Sequence, residues 1–328
     1  MRILVVGGAG YIGSHTVRLL IQHGHDVHIY DSLASGHRAA VPADRLIQAD
    51  LADAGTLDHA FIAHRIEAVM HFAALCYVGE SVQQPAKYYH NNVFLGLQLL
   101  ETARRNGVRR FVFSSTAATY GNPVRLPITE DMPQRPCNPY GHTKLAFEWA
   151  LADYAAAYGM GYAALRYFNA AGASSDGTIG EDHDPETHLL PIVLQVALGQ
   201  RPHLEVFGTD YPTADGTCIR DYVHVEDLAQ AHLLALEKLT DGAGLHFNLG
   251  TGGGYSIREV VKTAEEVTGK KIACKEGPRR AGDPAELVAS SAKIRKELGW
   301  KPRYPELGGI LETAWKWHRS HPKGYGDR

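Results

Sequence analysis

The chain has 328 residues, of which 45% are hydrophobic and 21% are charged, and its formal net charge is −3. This length suits one large α/β unit or a core domain with a smaller lobe, and the charge gives no reason to expect a nucleic-acid partner. No segment approaches the roughly 18 uninterrupted apolar residues of a membrane span, and no secretion signal precedes the first buried strand, so we expect a cytoplasmic protein without a membrane partner.

The first predicted element is a buried strand at residues 3–6, followed by a glycine turn and an amphipathic helix over residues 16–22. Glycines in such a turn let backbone N–H groups approach a pyrophosphate, and the helix directs its positive end at the anion. We therefore predict a dinucleotide cofactor here. Its predicted contacts in the turn are Gly7, Gly10, Tyr11, Ile12 and Gly13.

The second predicted strand, residues 26–31, ends on Asp31, about 20 positions beyond the turn. A carboxylate at this place accepts hydrogen bonds from both ribose hydroxyls and repels a 2′-phosphate, which favours NAD over NADP. The alternative is that Asp31 only caps the strand end. The nearby His37 and Arg38 leave open a loop that accepts the 2′-phosphate of NADP.

Further strands are predicted at residues 45–49, 68–72, 110–114 and 161–166, separated by helical periodicity such as that of residues 93–105. Strands that alternate with helices predict an α/β fold with a parallel, doubly wound sheet of the Rossmann type. Ligands of such sheets collect at the carboxyl ends of the strands. Four loops therefore converge on one crevice, at Asp50 and at residues 71–75, 114–120 and 167–170.

After residue 170 the sequence becomes rich in glycine, aspartate and proline. We expect an NAD-binding domain over residues 1–170, to which residues 221–240 return, and a smaller α/β substrate lobe within residues 171–328. The glycines of residues 250–254 lead into Ser256 and Glu259, a capping-box pattern, so we predict a helix running toward Thr268 rather than a second phosphate loop.

Tyr140 and Lys144 follow Pro139 at the start of a predicted helix, and their spacing places them on one helical face. Lowering the pKa of tyrosine by about three units, to make it a base near neutral pH, takes about 4 kcal/mol. One ammonium about 5 Å away supplies roughly 3 kcal/mol at an effective dielectric of about 20. An oxidised nicotinamide would provide the second cation, so we predict proton abstraction that depends on bound cofactor. Without that context, such a pair would simply face solvent.

A serine- and threonine-rich segment, residues 114–121, follows the predicted strand that precedes this helix. Its Thr116 hydroxyl can bridge a reacting oxygen and Tyr140, which shortens the proton path. The alternative is that these hydroxyls only close a turn at the strand end.

Cysteine and histidine show no metal or disulfide pattern. The 18 histidines are scattered, and the four cysteines are far apart at positions 76, 137, 218 and 274. We expect buried or half-buried free thiols, no disulfide framework and no metal site.

Together these residues resemble the extended short-chain dehydrogenase/reductase family and, within it, the sugar-nucleotide 4-epimerases. The likeness covers nearly the whole chain. It rests on residues 7–15, 71–74, 78–81, 167–169 and 215–225, of which the last segment, from Asp215 to Val225, is the most specific.

The resemblance implies reversible interconversion of UDP-glucose and UDP-galactose at C4, through a 4-keto intermediate, with tightly bound NAD. Tyr140 would take the proton of the sugar 4-hydroxyl, with Lys144 and Thr116 as the other catalytic residues. We expect most binding contacts to be made to the nucleotide diphosphate and few to the sugar, because the sugar must turn over while the nucleotide stays bound. The resemblance also implies a homodimer, formed through residues 93–105 and 147–158.

The resemblance assigns further contacts by position. Those to the cofactor are Asp50, Leu51, Phe72, Ala73, Ala74, Asn92, Ser114 and Tyr167, in addition to Tyr140 and Lys144. Those to the substrate are Thr116, Tyr140 and Phe168, with Asn169, Arg220 and Arg280 on the diphosphate, Asp283 on the uridine ribose, Leu189 and Phe207 around uracil, and Leu287 beside the sugar.

Several positions depart from the family pattern. Thr116 stands where serine is frequent, which keeps the hydroxyl, and Cys76 stands where a lysine often reaches the cofactor phosphates, which should weaken NAD binding. Leu287 replaces a bulky aromatic found in some relatives, so we expect room for N-acetylated hexoses. Thr187 and His188 replace an amide pair, and their roles stay open.

Three other functions fit these residues to differing degrees. A 4,6-dehydratase needs an acid and a base after the strand-end threonine, where this chain has Ala117 and Ala118, so dehydration is disfavoured. Epimerases of UDP-uronates or UDP-pentoses stay open. A regulator that senses NAD without catalysis would have no need of the combined Thr116, Tyr140 and Lys144.

Overall fold

The computed structural model describes residues 1–280 and 284–327, and its centre is a seven-stranded parallel sheet with the order β11-β6-β5-β4-β1-β2-β3. The strands in chain order are β1 (Arg2–Val6), β2 (Asp26–Asp31), β3 (Leu46–Gln48), β4 (Ala68–His71), β5 (Arg110–Ser114), β6 (Gly161–Tyr167), β7 (Asn169–Ala171), β8 (Leu204–Phe207), β9 (Ile219–Arg220), β10 (Tyr222–His224), β11 (Gly244–Leu249), β12 (Tyr255–Ser256), β13 (Cys274–Gly277) and β14 (Glu286–Leu287).

Helices cover both faces of this sheet and build the remaining lobe. They are α1 (Tyr11–Gln22), α2 (Ala54–His64), α3 (Val78–Gln83), α4 (Pro85–Tyr88), α5 (Leu95–Arg105), α6 (Pro139–Tyr158), α7 (Leu189–Ala197), α8 (Val225–Lys238), α9 (Ile257–Thr268), α10 (Ala292–Leu298) and α11 (Leu307–Ser320). Three short 3₁₀ turns occur at Arg38–Ala40, Ala43–Arg45 and Ala117–Tyr120, and a π-helical segment, Tyr89–Phe94, leads into α5.

The sheet is buried on both faces, as a doubly wound fold requires. Alternate residues of β1 divide between two cores. Ile3 and Val5 pack with Val17 of α1 and Leu228 of α8, whereas Leu4 and Val6 belong to the core on the opposite face. That second core is closed by α2, α5 and α6, through Phe61, Leu99 and Phe147 among others. The predicted fold class is therefore confirmed.

The predicted elements agree with the structure closely in the first half of the chain. The strands at residues 26–31 and 110–114 have the predicted bounds. Helix α1 begins five residues earlier than residue 16, because its first turn is made of the residues that follow the glycine turn. The sequence analysis missed β11, which pairs with β6 at the edge of the sheet.

The second lobe has its own apolar core, built mainly by α7, α9 and α11 with the short parallel pair β8 and β13. Helix α9 begins with the predicted capping box, in which the Ser256 hydroxyl accepts from the Glu259 N–H and the Glu259 carboxylate accepts from the Ser256 N–H. Helix α8 packs against α1 of the sheet domain. After the first strands of this lobe, the chain therefore returns to the sheet domain twice, first as helix α8 and then as strand β11.

Two composition-based expectations can be compared with the described residues. None of the described helices combines the length and the apolar character that a membrane crossing needs. None of the four cysteines forms a disulfide bond within the described residues, and Cys76, Cys137 and Cys274 are exposed whereas Cys218 is buried. The expectation of buried or half-buried thiols was therefore wrong for three of them.

Candidate active site

The glycine turn after β1 lies against the loop after β4. A Cβ added at Gly7, whose φ is +78°, would come within 2.4 Å of the Ala73 backbone nitrogen, and one added at Gly13 would come within 2.1 Å of the Gly7 carbonyl oxygen. These two positions require glycine because backbone lies directly on them. The turn is thus a tightly packed backbone surface at the carboxyl edge of the sheet.

The amino end of α1 is open to an anion. Its N-cap residue is Gly10, which offers no side-chain cap, and the first turn, with Tyr11, Ile12 and Gly13, holds no acidic residue. The N–H groups of a helix's first turn have no partner within the helix, and the helix dipole adds positive potential there. The chain therefore presents the donors that a cofactor pyrophosphate needs at this place.

Asp31 ends β2 beside this turn and is buried. Its Oδ2 accepts from the Ala9 N–H at 2.8 Å, and its Oδ1 accepts from the Leu33 N–H at 2.8 Å. Burial raises the pKa of this carboxyl, although these two hydrogen bonds oppose the rise. Asp31 thus caps the strand end, and each carboxylate oxygen has a further lone pair that can receive a ribose hydroxyl.

Asn92 has a structural role in the protein without ligands. Its Nδ2 donates to the Leu75 carbonyl at 3.0 Å and to the Thr143 hydroxyl at 3.1 Å, and its Oδ1 accepts from the Leu75 N–H at 2.9 Å. It therefore ties the loop after β4, which carries Phe72, Ala73 and Ala74, to helix α6. Its direct contact with cofactor stays a prediction.

The remaining predicted cofactor residues lie at three strand ends. Asp50 follows β3 and accepts from the Ala52 N–H at 2.8 Å, and the neighbouring Leu51 is buried. At the ends of β5 and β6, the hydroxyls of Ser114 and Tyr167 are hydrogen-bonded to each other. All of them lie at the carboxyl edge, where the parallel sheet gathers its loops.

The structure brings Tyr140, Lys144 and Thr116 together. Pro139 and the N-cap Asn138, whose side chain accepts from the Gly141 N–H, place Tyr140 in the first turn of α6. The Lys144 Nζ donates to the Ser114 carbonyl at 2.9 Å and lies 5.9 Å from the centre of the Tyr140 ring.

Thr116 completes this group from the other side. Its hydroxyl oxygen accepts from the Ala118 N–H at 3.1 Å, which leaves the hydroxyl hydrogen for Tyr140. A hydrogen bond between the Thr116 and Tyr140 hydroxyls acts to lower the pKa of the tyrosine. The structure thus places the Thr116 hydroxyl beside Tyr140, and its bridging to a substrate oxygen stays a prediction.

The electrostatics of the pair depart from the sequence expectation. Burial raises the pKa of Tyr140 well above its usual value, and the neighbouring Cys76 adds to the rise. Burial also lowers the pKa of Lys144 to about 8. The single lysine thus does not by itself lower the pKa of Tyr140, because desolvation of the buried phenol outweighs it. A further positive charge beside the ring is required before Tyr140 can act as a base.

A buried polar network behind the catalytic loop was missed by the sequence analysis. The Arg166 guanidinium donates to both oxygens of Glu148, at 3.0 and 2.5 Å, and to the Tyr120 hydroxyl at 2.7 Å. Glu148 also accepts from Ser115, which precedes Thr116. The available signal was one charged residue in an apolar strand, Arg166, and a second at the position one turn after Lys144. This network holds the 3₁₀ turn that Thr116 caps.

Most of the predicted substrate contacts come from the second lobe, and we call this side of the site the lobe wall. Phe168 and Leu287 pack against one small cluster that includes Ala117 and Tyr120, and this places both beside the Thr116 turn. Leu287 pairs with Arg220 between β14 and β9. Asn169 donates from Nδ2 to the Asp221 carbonyl at 2.9 Å, immediately after Arg220.

The predicted uracil and diphosphate contacts lie farther along the same lobe. Phe207 ends β8, Leu189 begins α7, and the Arg280 guanidinium lies 4.1 Å from the centre of the Phe207 ring. Arg280 therefore already covers one face of the aromatic ring that is predicted to contact uracil. Asp283 lies outside the described residues.

A second group of ionisable side chains was also missed. Glu181, His183, Glu186 and His188 converge within eight residues of the segment before α7, whereas the expectation of no metal site stays a prediction. Although burial opposes it, the carboxylates of Glu181 and Glu186 raise the pKa of His183 to about 10. The alternation of acid and histidine in Glu-Asp-His-Asp-Pro-Glu-Thr-His was the available signal.

Comparison with known proteins agrees with this geometry. Residues 3–250 match the model of the NAD dependent epimerase/dehydratase family. The chain belongs to this family. Over 99% of this chain and 98% of the relative, it is 54% identical to a UDP-glucose 4-epimerase of Halalkalibacterium halodurans.

Two solved structures from the family show the same fold over nearly the whole chain. The crystal structure of UDP-glucose 4-epimerase from Brucella ovis in complex with NAD has a TM-score of 0.92 and 50% identity, over 96% of this chain and 97% of that one. The UDP-Glc/GlcNAc 4-epimerase of Campylobacter jejuni has a TM-score of 0.84 and 41% identity, over 97% and 99% of the two chains.

Proposed function

We propose that the protein interconverts UDP-glucose and UDP-galactose reversibly, by inverting the configuration at C4 through a 4-keto sugar, with NAD as its cofactor. The observation that carries this proposal is the placement of Tyr140, Thr116 and Lys144 beside an anion-binding glycine turn, in a chain of the NAD dependent epimerase/dehydratase family. When bound, NAD accepts hydride from C4 and returns it, so that the overall reaction involves no net oxidation.

The residues of the glycine turn and the strand ends would hold the cofactor. The first turn of α1, which the glycine turn leaves open, would offer backbone donors to the pyrophosphate, and Asp31 would offer acceptors to the ribose. Residues 1–170 together with 221–240 form the NAD-binding domain in this proposal. Residues 171–328 otherwise bind the nucleotide sugar.

Tyr140 acts as base and then as acid for the sugar 4-hydroxyl. Its high pKa in the protein alone keeps the phenol protonated. The positive charges of Lys144 and of the oxidised cofactor, acting in a buried site, favour the phenolate when substrate is present. The Thr116 hydroxyl donates to the phenolic oxygen or to the sugar oxygen, and Glu148 with Arg166 fixes the turn that carries it.

The nucleotide is held far from the reacting carbon. In this proposal Arg220, Arg280 and Asn169 bind the diphosphate, because guanidinium groups suit phosphate oxygens well. Leu189 and Phe207 contribute the apolar surface for uracil. Because this grip excludes the hexose, the 4-keto sugar can turn over without leaving the site, and hydride can return to its other face.

The side chain at position 287 bears on which sugars the site accepts. Leu287 lies beside Phe168 and the Thr116 turn, and its branched four-carbon side chain is smaller than the ring of an aromatic residue. We therefore extend the proposal to UDP-N-acetylhexoses. Failure to convert UDP-N-acetylglucosamine, in a preparation that converts UDP-galactose, would remove this extension and leave the main proposal intact.

A homodimer of two copies is proposed from an exposed aromatic surface on α5 and α6. Phe94 is 58% exposed, Trp149 62% and Tyr158 48%, and all three lie in the segments assigned to the dimer contact. Sedimentation of Trp149→Glu as a monomer, beside a dimeric parent, is the expected result. Three exposed free thiols suit a reducing compartment, so we propose the cytoplasm as its location.

The main proposal is tested by offering UDP-galactose to the purified protein with no added NAD and separating the products. Formation of UDP-glucose without accumulating NADH is the expected outcome, because the cofactor is retained and regenerated in each turnover. If product forms only when NAD is added, tight retention of the cofactor is disproved. If a free keto sugar accumulates in proportion to NADH, the protein is an oxidoreductase and the proposal fails.

A further inference from the structure

The segment between β7 and α7 contains four side chains that point their donor atoms at one place. Glu181, His183, Glu186 and His188 each offer one such atom, and these atoms lie within 4.8 Å of one another. The two carboxylates are buried, His183 is largely buried and His188 is half-buried. None of these four side chains is used by the proposed reaction.

The distances within this cluster suit a tetrahedral ion. The Nδ1 of His188 lies 2.9 Å from Glu181 Oε1 and 3.1 Å from Glu186 Oε1, and the Nδ1 of His183 lies 3.2 Å from Glu181 Oε1 and 3.7 Å from Glu186 Oε2. Ligands held at about 2.1 Å from zinc in a tetrahedron are about 3.4 Å apart. Three of these four separations are shorter than this value and one is longer, so the side chains would have to adjust slightly to hold the ion.

A second observation is the Nδ1 of His183. This atom is fully buried and directed into the cluster, yet it forms no hydrogen bond with any of the described residues. Its 3.2 Å approach to Glu181 is therefore a close contact of poor hydrogen-bond geometry. Its ion pairs with Glu181 and Glu186 hold this nitrogen toward the centre of the cluster, where a bound ion would use its lone pair.

Charge balance favours a divalent ion. Two carboxylates and two neutral imidazoles together carry a charge of −2. One divalent cation therefore leaves no net charge in the site. Two imidazole nitrogens with two carboxylate oxygens are a donor set that suits zinc better than magnesium or calcium.

We propose that Glu181, His183, Glu186 and His188 bind one zinc-like divalent cation, in a site of four protein ligands that fixes the segment before α7. A site closed by four side chains is structural rather than catalytic. The position of this site indicates which parts of the fold a bound ion would hold together. The ring of His183 contacts Tyr11 at 6.2 Å between ring centres, at the first turn of α1, and His188 immediately precedes Leu189 of the proposed uracil surface.

The neighbouring contacts support the placement of these ligands. Glu186 Oε1 accepts from the N–H groups of Thr187 and His188, both at 2.8 Å, and the Trp317 indole donates to the Glu181 carbonyl at 3.2 Å. Such hydrogen bonds around a metal site orient its ligands. They also account for Thr187, whose side chain has no assigned role while its backbone orients Glu186.

The test measures metal content rather than activity. The full-length protein is expressed without a polyhistidine tag, incubated with zinc, dialysed, and analysed by inductively coupled plasma mass spectrometry. About one zinc per chain is expected. Removal of zinc by a chelator should lower the melting temperature, and added zinc should restore it. Cobalt in place of zinc should give the visible absorption bands of a tetrahedral site.

Two variants make this test specific. Glu181→Gln and His183→Gln should each lose most of the bound metal. The matched control is the double variant His28→Asn/His64→Asn, which removes a stacked histidine pair beside Asp26 on another surface and should keep the full metal content. If the dialysed parent protein holds far less than one zinc per chain and shows no tetrahedral cobalt spectrum, the four residues form ion pairs only and the proposal is overturned. This measurement is independent of whether the protein epimerises UDP-sugars.

Discussion

The two walls of the crevice differ in how firmly their side chains are held. On the sheet wall, the Lys144 ammonium binds a backbone carbonyl and Thr116 caps a turn that the buried Glu148 and Arg166 pair supports. On the lobe wall, the contacts come from the two-residue strands β9 and β14 and from Arg280, whose guanidinium rests on Phe207. This difference agrees with the chemistry proposed for the sheet wall and with the nucleotide recognition proposed for the lobe wall.

The largest effect should follow from removing the phenolic hydroxyl on the sheet wall. In Tyr140→Phe, kcat should fall about 10²- to 10⁴-fold, because general acid and base catalysis is lost. Affinity for UDP, measured by calorimetry, should stay within about twofold, since the lobe wall is intact. Tyr154→Phe on the same helix, whose hydroxyl donates to Glu101 at the surface, is the matched control and should keep parental kcat.

The next largest effect should distinguish Arg280 from its neighbour Arg279. Arg280→Lys keeps the charge but loses the paired donors, so KM for UDP-galactose should rise about 10- to 100-fold with a smaller change in kcat. Arg279→Lys is the matched control, because Arg279 pairs with Asp210 and covers Tyr211 instead. An equal rise in KM for both variants would show that Arg280 has no special contact with the diphosphate.

A smaller, selective effect is expected at Leu287. Leu287→Tyr should reduce kcat/KM for UDP-N-acetylglucosamine at least about tenfold while UDP-galactose turnover changes little, because the ring fills the space beside the sugar. Leu287→Met, of similar volume, should leave both activities near the parental values. Equal losses for the two substrates in Leu287→Tyr would mean that this position does not sort sugars by size.

The fourth prediction concerns the stability of the sheet wall. Burial, with Lys144 nearby, lowers the pKa of His71 to about 3, and its Nδ1 is buried without a hydrogen bond to the described residues. Because the folded pKa lies below the unfolded value of about 6.5, its contribution to stability is present above that value and is lost as pH falls toward 3. Acid should therefore destabilise the protein partly through His71.

His71→Phe tests this directly, since phenylalanine suits the rings of Phe111, Phe113 and Phe147 around it. Between about pH 7.5 and about pH 5, the variant should lose about 2 kcal/mol less unfolding free energy than the parent in urea titrations. His59→Asn, at an exposed position, should match the parent. Identical pH dependence in parent and His71→Phe would contradict the assignment.

The two walls also differ in what the sequence predicts. The glycine turn, Asp31 and the Tyr140–Lys144 pair follow from local spacing, because turns, strand ends and helix faces are set by neighbouring residues. Arg220 and Leu287 become neighbours only through the pairing of β9 with β14, and Arg280 reaches Phe207 from a distant part of the chain, so resemblance alone assigned these three residues. The electrostatics needed the structure too, since burial of Tyr140 cannot be read from its spacing to Lys144.

The cluster of Glu181, His183, Glu186 and His188 also could not be predicted from local spacing. Its spacing matches no familiar metal motif, and the four donor atoms converge only because the segment folds back on itself before α7. The Arg166 and Glu148 pair likewise joins a strand to a helix 18 residues away. In both cases, a charged residue within an apolar or loop context was the one available signal.

The central claim is that one hydrogen leaves C4 of the sugar and returns to the same carbon while the nucleotide stays bound. It is tested most directly with UDP-galactose that carries deuterium at C4, converted in ordinary water. Mass spectrometry of the UDP-glucose formed should find the deuterium retained at C4. Deuterium lost to solvent would contradict the account, because the hydrogen would then have passed through an exchangeable position.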